Sequence, residues 1–376
     1  MALSPFIKWP GGKEQELQHI TPNLPEDINR YIEPFVGGGA VLLSLEGNEN
    51  INEYIINDFS RELINLYTCI HNNDETFFNR LLSINNHWTL ISNLVECNYQ
   101  LLLNTYRDYT NNQIGESSYI DFCNNFIVDN LFQLIDLVNN DFNLSTEEFI
   151  KELKKNFISK VKRMNKLESD KGPLNNEDVL KNIEAGLKSG YYMYIRYIYN
   201  NVDNFNLNIG FSSAIFYFIR EFCYSSMFRY NKSGGFNVPY GGISYNRKDF
   251  LRKINYLQSI DLQQFLAETD IYNLDFEEFF DEIEPRQGDF IFLDPPYDSD
   301  FSTYAQNSFT QQDQIRLANC LRDIQANFML VIKNTEFIFN LYNDLGFNIN
   351  FFDKSYLVSF QNRNNREVTH LMITNY

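Results

Sequence analysis

The chain has 376 residues, 44% hydrophobic and 21% charged, which supports a sizeable buried core and room for about two domains. A net charge of −18 excludes a protein that binds nucleic acid over its whole surface, because phosphate contacts need Lys and Arg. The 5 cysteines and 4 histidines lack disulfide or zinc spacing, so no metal is expected. No apolar run approaches the ~20 residues of a membrane span, and the N-terminus lacks a signal-peptide pattern, so a cytoplasmic enzyme is expected.

In chain order, "RYIEPFVGGGAVLLSL" predicts a strand, a tight glycine loop and a helix starting near Ala40. "EYIINDFSRELINLY" repeats the scheme, with a strand to Ile56 and a helix N-capped at Ser60. From about 72 to 270 the chain is rich in Asn, Tyr, Phe and Lys at helical spacing, as in "DNLFQLIDLVNN". Within it, "SDKGPLNNED" reads as a loop before a helix capped near Asn175 or Asn176. The lysine-rich stretch 151–166 and the segment 220–253 are basic against an acidic background. Each could be a solvated helix face or a local face for nucleic acid. Beyond residue 285 "DFIFL" and "NFMLVIKN" are strands and "TQQDQIRLANCLRDIQ" is a helix capped by Thr310. "TEFIFNLYNDLG" is a helix closed by Gly346, and two more strands complete the chain. Such β-α-β units at both ends predict an α/β fold, one parallel sheet built from residues 1–71 and 271–376. Residues 72–270 are then a mostly helical insertion.

Ligands of open α/β sheets bind outside the carboxyl ends of strands, where "EPFVGGG" and "DPPY" both sit. Gly37, Gly38 and Gly39 let the backbone pass close to a ligand, although plain turns use such runs too. Asp58 ends the next strand at about the ~20-residue offset where an acid accepts ribose hydroxyls, or else caps the following helix. Loop and acid together suggest a ligand bearing adenosine. At "DPPY", Asp294 offers a carboxylate acceptor, while Pro295 and Pro296 fix the backbone so that the Pro295 carbonyl can point into the site. Two such acceptors could hold an amino group by its two hydrogens and aim its lone pair at an electrophile. Tyr297 offers a face on which a flipped base could stack. The competing structural role is a strand followed by a Pro-Pro turn, with Asp294 as a cap.

The same residues resemble the Dam-type (class alpha) family of S-adenosylmethionine-dependent DNA adenine N6-methyltransferases. "FIKWPGGKEQELQHI" is similar to the family's N-terminal cofactor motif, "YIEPFVGGGAVLL" to its glycine loop, and "NDFSRELINLY" to its ribose-binding segment. "MFRYNKSGGFNVPYG" resembles its DNA-contacting stretch and "FSTYAQNSFTQQDQIRLA" its post-catalytic loop and helix. The resemblance implies a Rossmann-like methyltransferase sheet in which Trp9, Lys13, Asp58 and Asp294 touch S-adenosylmethionine. It also implies that Glu33, Pro34, Phe35 and the glycine loop lie along the cofactor, and that Asp294 to Tyr297 hold the target adenine. Lys13 makes sense as the charge partner of the methionine carboxylate; Trp9 could stack or anchor the core. Double-stranded DNA would meet Arg229, Asn231, Lys232, Asn237 and Tyr304, with Phe301 and Tyr304 closing over the base. Dam proteins usually carry Arg-Tyr-Asn-Leu-Arg-Gly-Glu-Phe-Asn, whereas Ser233 stands here in place of the second arginine, a natural guanine reader. A GATC target is therefore not implied.

Cytosine C5 methylation needs a cysteine, usually after a proline, and none of the 5 cysteines follows one. Cytosine N4 methylation uses the same amine chemistry but more often Ser-Pro-Pro-Tyr. A catalytically silent DNA-binding regulator on the same scaffold is the non-enzymatic alternative, against which the intact Asp294-Pro295-Pro296-Tyr297 argues. No nuclease motif is found in the chain, and a cognate restriction endonuclease stays open as a partner.

Overall fold

A computed structural model describes residues 3–137, 142, 144–296, 309–355 and 367–376. Seven strands form one sheet: β1 (Arg30–Glu33), β2 (Glu53–Asn57), β3 (Thr269–Tyr272), β4 (Phe290–Leu293), β5 (Asn327–Lys333), β6 (Asn348–Ser355) and β7 (Glu367–Thr374). Their spatial order is β3-β2-β1-β4-β5-β7-β6; the first five run parallel and β7 is antiparallel to both neighbours. This is the expected α/β architecture. Strands β1 and β4 are buried at every position, β4 as a continuous apolar run and β1 with its end charges Arg30 and Glu33 paired to Asp289 and Tyr31. The strand order reverses between the parallel neighbours β1 and β4, with connections running outward to either side, a switch point at which the strand ends leave a crevice.

Capping residues set the helices that flank the sheet. Ser60 accepts from the Leu63 N–H, and Thr335 from the Ile338 N–H. Thr310 and Asp313 form a reciprocal capping box on the helix Gln311–Asp323. At the amino ends of β1 and β4, Arg30 and Asp289 form a buried ion pair of 2.6 Å, and the guanidinium also donates to the carbonyls of Ile283 and Glu284.

The chain divides into two compact units, residues 1–73 with 256–376, and residues 74–255. Residues 256–270, expected in the insertion, belong to the sheet unit. The helix Ile260–Ala267 packs on the helix Arg61–His71, His71 Nδ1 lies 2.7 Å from the Leu266 carbonyl, and Thr269 opens β3 beside β2. The other unit is helical. Its long helices Thr146–Lys171 and Asn176–Tyr199 pack closely because a Cβ at Gly190 would come within 2.7 Å of the Leu153 Cα. The basic run on Thr146–Lys171 is a solvated face carrying local ion pairs, Lys151 with Glu148 and Lys155 with Glu152. No helix among the described residues is long and apolar enough to cross a membrane.

Candidate active site

The carboxyl ends of β1, β2 and β4 bring together three of the predicted motifs. The glycine loop leaves β1 with positive φ at Gly37 (50°) and Gly39 (69°), which permits its turn into the helix Ala40–Ser44. Side chains here would collide: a Cβ at Gly37 would stand 2.9 Å from Trp9 Cδ1, and one at Gly39 2.5 Å from the Tyr67 hydroxyl. Tyr67 donates to the Gly37 carbonyl at 3.1 Å. Trp9, Lys13, Glu33, the glycine loop and Asp294 line one cleft.

Asp58 ties the loop to β2. Its Oδ2 accepts from the Gly37 N–H at 3.0 Å and its Oδ1 from the Ser60 N–H at 2.8 Å. Its structural role leaves each carboxylate oxygen a second lone pair. Beside it, Asn57 is buried and donates to the carbonyls of Pro34 and Leu274, both at 3.1 Å, while accepting from the Leu274 N–H. Pro34 thus serves through its carbonyl. Phe35 turns to the core, its ring 5.8 Å from Phe276 and 5.7 Å from Phe309.

Electrostatics single out the cleft. Glu33 is buried, accepts from the Tyr31 hydroxyl at 2.7 Å, and is pushed up to about 8 by burial, with the charges of Asp294 and Asp58 adding to the rise. Asp58 is raised to about 6, again first by burial and then by Asp294, against the two backbone N–H bonds that lower it. Lys13 is the buried cation on the other side. Its ammonium pairs with Asp294 and donates to the Gly11 carbonyl at 3.0 Å. Glu33 and Asp58, both held partly protonated beside the Lys13–Asp294 pair, leave a site in which a ligand with positive charge would favour their ionised forms.

The Asp-Pro-Pro segment follows β4 directly. Asp294 is half-buried on Lys13, Pro295 is buried, and the Pro296 carbonyl accepts from Gln314 Nε2 at 3.0 Å. Tyr297, Phe301 and Tyr304 lie outside the described residues. Sequence reasoning missed Asn57, Tyr67 and Gln314. The available signals were a polar residue closing an apolar strand and a glutamine on the inward face shared by Leu317, Ala318 and Leu321.

The predicted DNA-contacting stretch is an isolated hairpin in the helical unit, with Tyr230 bridged to Phe236. Asn231 Oδ1 accepts the N–H groups of Ser233 and Gly235, both at 2.9 Å, and its backbone pairs with Gly235. Exposed Arg229 donates from Nε to Asn237 Oδ1 at 2.7 Å and from Nη2 to the Asn237 carbonyl at 3.1 Å. Lys232 is exposed at the tip. Arg220, at the start of the basic segment, is buried and holds the turn of Ser226 and Met227 through their carbonyls, both at 2.8 Å.

Comparison with known proteins matches the chain to the model of a family described as D12 class N6 adenine-specific DNA methyltransferase, over residues 9–132 and 124–356. The chain is 25% identical to the Type II methyltransferase M.CviBI of Paramecium bursaria Chlorella virus NC1A, covering 100% of both chains. It is 28% identical to the Type II methyltransferase M.MjaIII of Methanocaldococcus jannaschii, over 93% of this chain and 90% of that one. It is 24% identical to a DNA adenine methylase of Vibrio cholerae, over 84% and 74% respectively.

Proposed function

This chain belongs to the D12 class of N6 adenine-specific DNA methyltransferases, and from that premise we propose that S-adenosylmethionine is its methyl donor and that the cleft of Lys13, Glu33, Asp58 and Asp294 is where transfer occurs. Membership decides between the amine targets: adenine N6, not cytosine N4. The observation that carries the reading is the convergence of Asp294, Lys13 and the glycine loop at the carboxyl ends of β1 and β4.

The residues fit such a donor. The raised acids Glu33 and Asp58 suit a molecule whose sulfonium and ammonium charges would favour their ionised forms, and Asp58 stands at the strand end with acceptor capacity for ribose hydroxyls. The glycine loop admits an adenosine moiety without Cβ interference. When bound, S-adenosylmethionine supplies an electrophilic methyl group. Lys13 holds the Asp294 carboxylate in place and partners the donor's carboxylate. Trp9 packs against the glycine loop and forms one wall. Asp294 and the Pro295 carbonyl accept the two amino hydrogens of a flipped adenine. Such acceptance favours a pyramidal nitrogen with its lone pair aimed at the methyl carbon, a gain realised mainly in the transition state. The delocalised amine of a stacked base has neither the access nor the orientation.

Residues 1–73 with 256–376 are the catalytic unit in this reading, and residues 74–255 recognise the target on double-stranded DNA. Arg229 and Lys232 contact the DNA, with Lys232 on phosphate, while Asn231 and Asn237 shape the hairpin. The relatives named Type II methyltransferases support work beside a restriction endonuclease of the same site. The test is transfer of labelled methyl from S-adenosylmethionine to DNA lacking N6-methyladenine, followed by nucleoside mass spectrometry. N6-methyl-2′-deoxyadenosine from the wild type, and its formation cut by about 10²–10³-fold or more in Asp294→Ala, is the expected result. Transfer by Asp294→Ala at the wild-type rate overturns the assignment of the site.

A further inference from the structure

We infer that Gln314 is a positioning residue for methyl transfer, holding the Asp294-Pro295-Pro296 segment through the Pro296 carbonyl. The inference rests on the proposed role of that segment. Two consecutive prolines supply no backbone N–H, so this stretch cannot anchor itself by donating hydrogen bonds. Its two ends are instead held from outside. Lys13 pairs with the Asp294 carboxylate at one end, and Gln314 Nε2 donates to the Pro296 carbonyl at 3.0 Å at the other. The Pro295 carbonyl lies between these two anchor points. Its direction therefore depends on both.

Two observations separate Gln314 from an ordinary core residue. It is fully buried on the helix face of Leu317, Ala318 and Leu321, where an aliphatic side chain is expected. Its Oε1 is buried and has no hydrogen-bond partner among the described residues. Burying an unsatisfied acceptor is unfavourable, and a leucine or methionine would avoid it. The amide is retained where its nitrogen meets the segment. Its platform is rigid. The capping box of Thr310 and Asp313 fixes the start of the helix, and Arg316 binds Asp313 at 2.9 Å, Asp275 at 2.7 Å and Glu277 at 2.5 Å.

The full-length protein, tritium-labelled S-adenosylmethionine and DNA lacking N6-methyladenine provide the test, read as single-turnover rate and as cofactor affinity by calorimetry. Gln314→Met should lower the rate roughly 10- to 100-fold, the scale of a misplaced reacting group, with cofactor affinity at the wild-type level. Gln314→Glu separates positioning from packing. A protonated glutamic acid can donate to the Pro296 carbonyl, and an ionised one repels it. Burial can carry a glutamate to about 8–9, so the rate of this variant relative to wild type should climb as pH is lowered through that range. Wild-type rates in both variants, or a Gln314→Glu to wild-type ratio that is the same at every pH, overturn the inference. An inactive wild type would strike at the proposed site itself, and the inference would fall with it. An active wild type with unchanged variants strikes at the role of Gln314 alone.

Discussion

In the cleft at the ends of β1 and β4, polar side chains face one another across a space: Glu33, Asp294, Lys13 and a glycine loop backed by Asp58. In the hairpin at 229–237, equally polar side chains face their own backbone, with Asn231 accepting from Ser233 and Gly235 and Arg229 clasping Asn237. Burial disfavours the ionised forms of Glu33 and Asp58, which a cationic partner would stabilise. The hairpin is already satisfied and presents only what its loop geometry leaves over. A motif residue can thus act by meeting a ligand or by shaping the element that does, and residue type alone does not tell which.

The largest effect expected is at Asp294. Asp294→Ala should cut methyl transfer by about 10²–10³-fold or more, because an acceptor working in the transition state is lost. It also leaves Lys13 buried without its carboxylate, so lower thermal stability should accompany the loss. Intact stability with intact rate would dissolve the contrast between cleft and hairpin.

Next in size is the cofactor effect. A ligand present at 100 times its Kd stabilises the native state by about 2.7 kcal/mol. Asp58→Ala or Lys13→Met should remove most of the Tm rise that S-adenosylmethionine gives the wild type, read by calorimetry. Affinity should also weaken as pH falls through about 6, where Asp58 takes up a proton, and Asp58→Asn should flatten that dependence.

The hairpin should respond differently. Asn231→Ala removes the acceptor of two exposed backbone N–H groups and should cost about 0.5–1.5 kcal/mol of local stability, seen as faster amide exchange at Ser233 and Gly235. Lys232→Ala should leave stability within about 0.5 kcal/mol of wild type. Its mark should instead be a drop of about 1 in the salt slope of DNA binding. If the two results were exchanged, the division between shaping and contacting residues would be reversed.

The smallest effect separates Glu33 from a ligand of opposite charge. Its folded value, about 8, lies above the ordinary 4.5, so its contribution to stability is fully present below 4.5 and is lost as pH rises through about 8. Glu33→Gln removes that loss. The gap in Tm between Glu33→Gln and the ligand-free wild type should widen with pH, and a constant gap would contradict the assigned burial effect.

Most of the sheet was legible because its central strands are short apolar stretches, buried on both faces, between glycine turns and capped helices. β3 was not. "TDIY" is short, half-exposed at the sheet edge and preceded by a helix, so nothing in its local pattern separates it from the helical insertion. In the site, Asp294, Asp58 and the glycine loop were legible because strand ends carry ligands. Asn57 and Gln314 were not, because their partners Leu274 and Pro296 are fixed by the tertiary fold. Asn231 is the opposite case: its bonds reach only two and four residues ahead, a local turn chemistry available in the sequence but overshadowed by its place in a DNA-contacting motif.

The ion pair of Arg30 with Asp289 joins positions 259 apart, and it bears on the order in which a ribosome would deliver this molecule. β1 emerges early, but its neighbour β4 is made only after the whole of residues 74–255. That contiguous stretch can fold while the first strands wait. The segments of the sheet unit that flank the insertion meet, with His71 against the Leu266 carbonyl. A folded insertion therefore takes the place of a long flexible loop, and the entropy of closing β4 onto β1 is correspondingly reduced. Nascent chains stalled just short of β4 should thus carry a protease-resistant fragment from the middle of the protein and a sensitive amino-terminal segment.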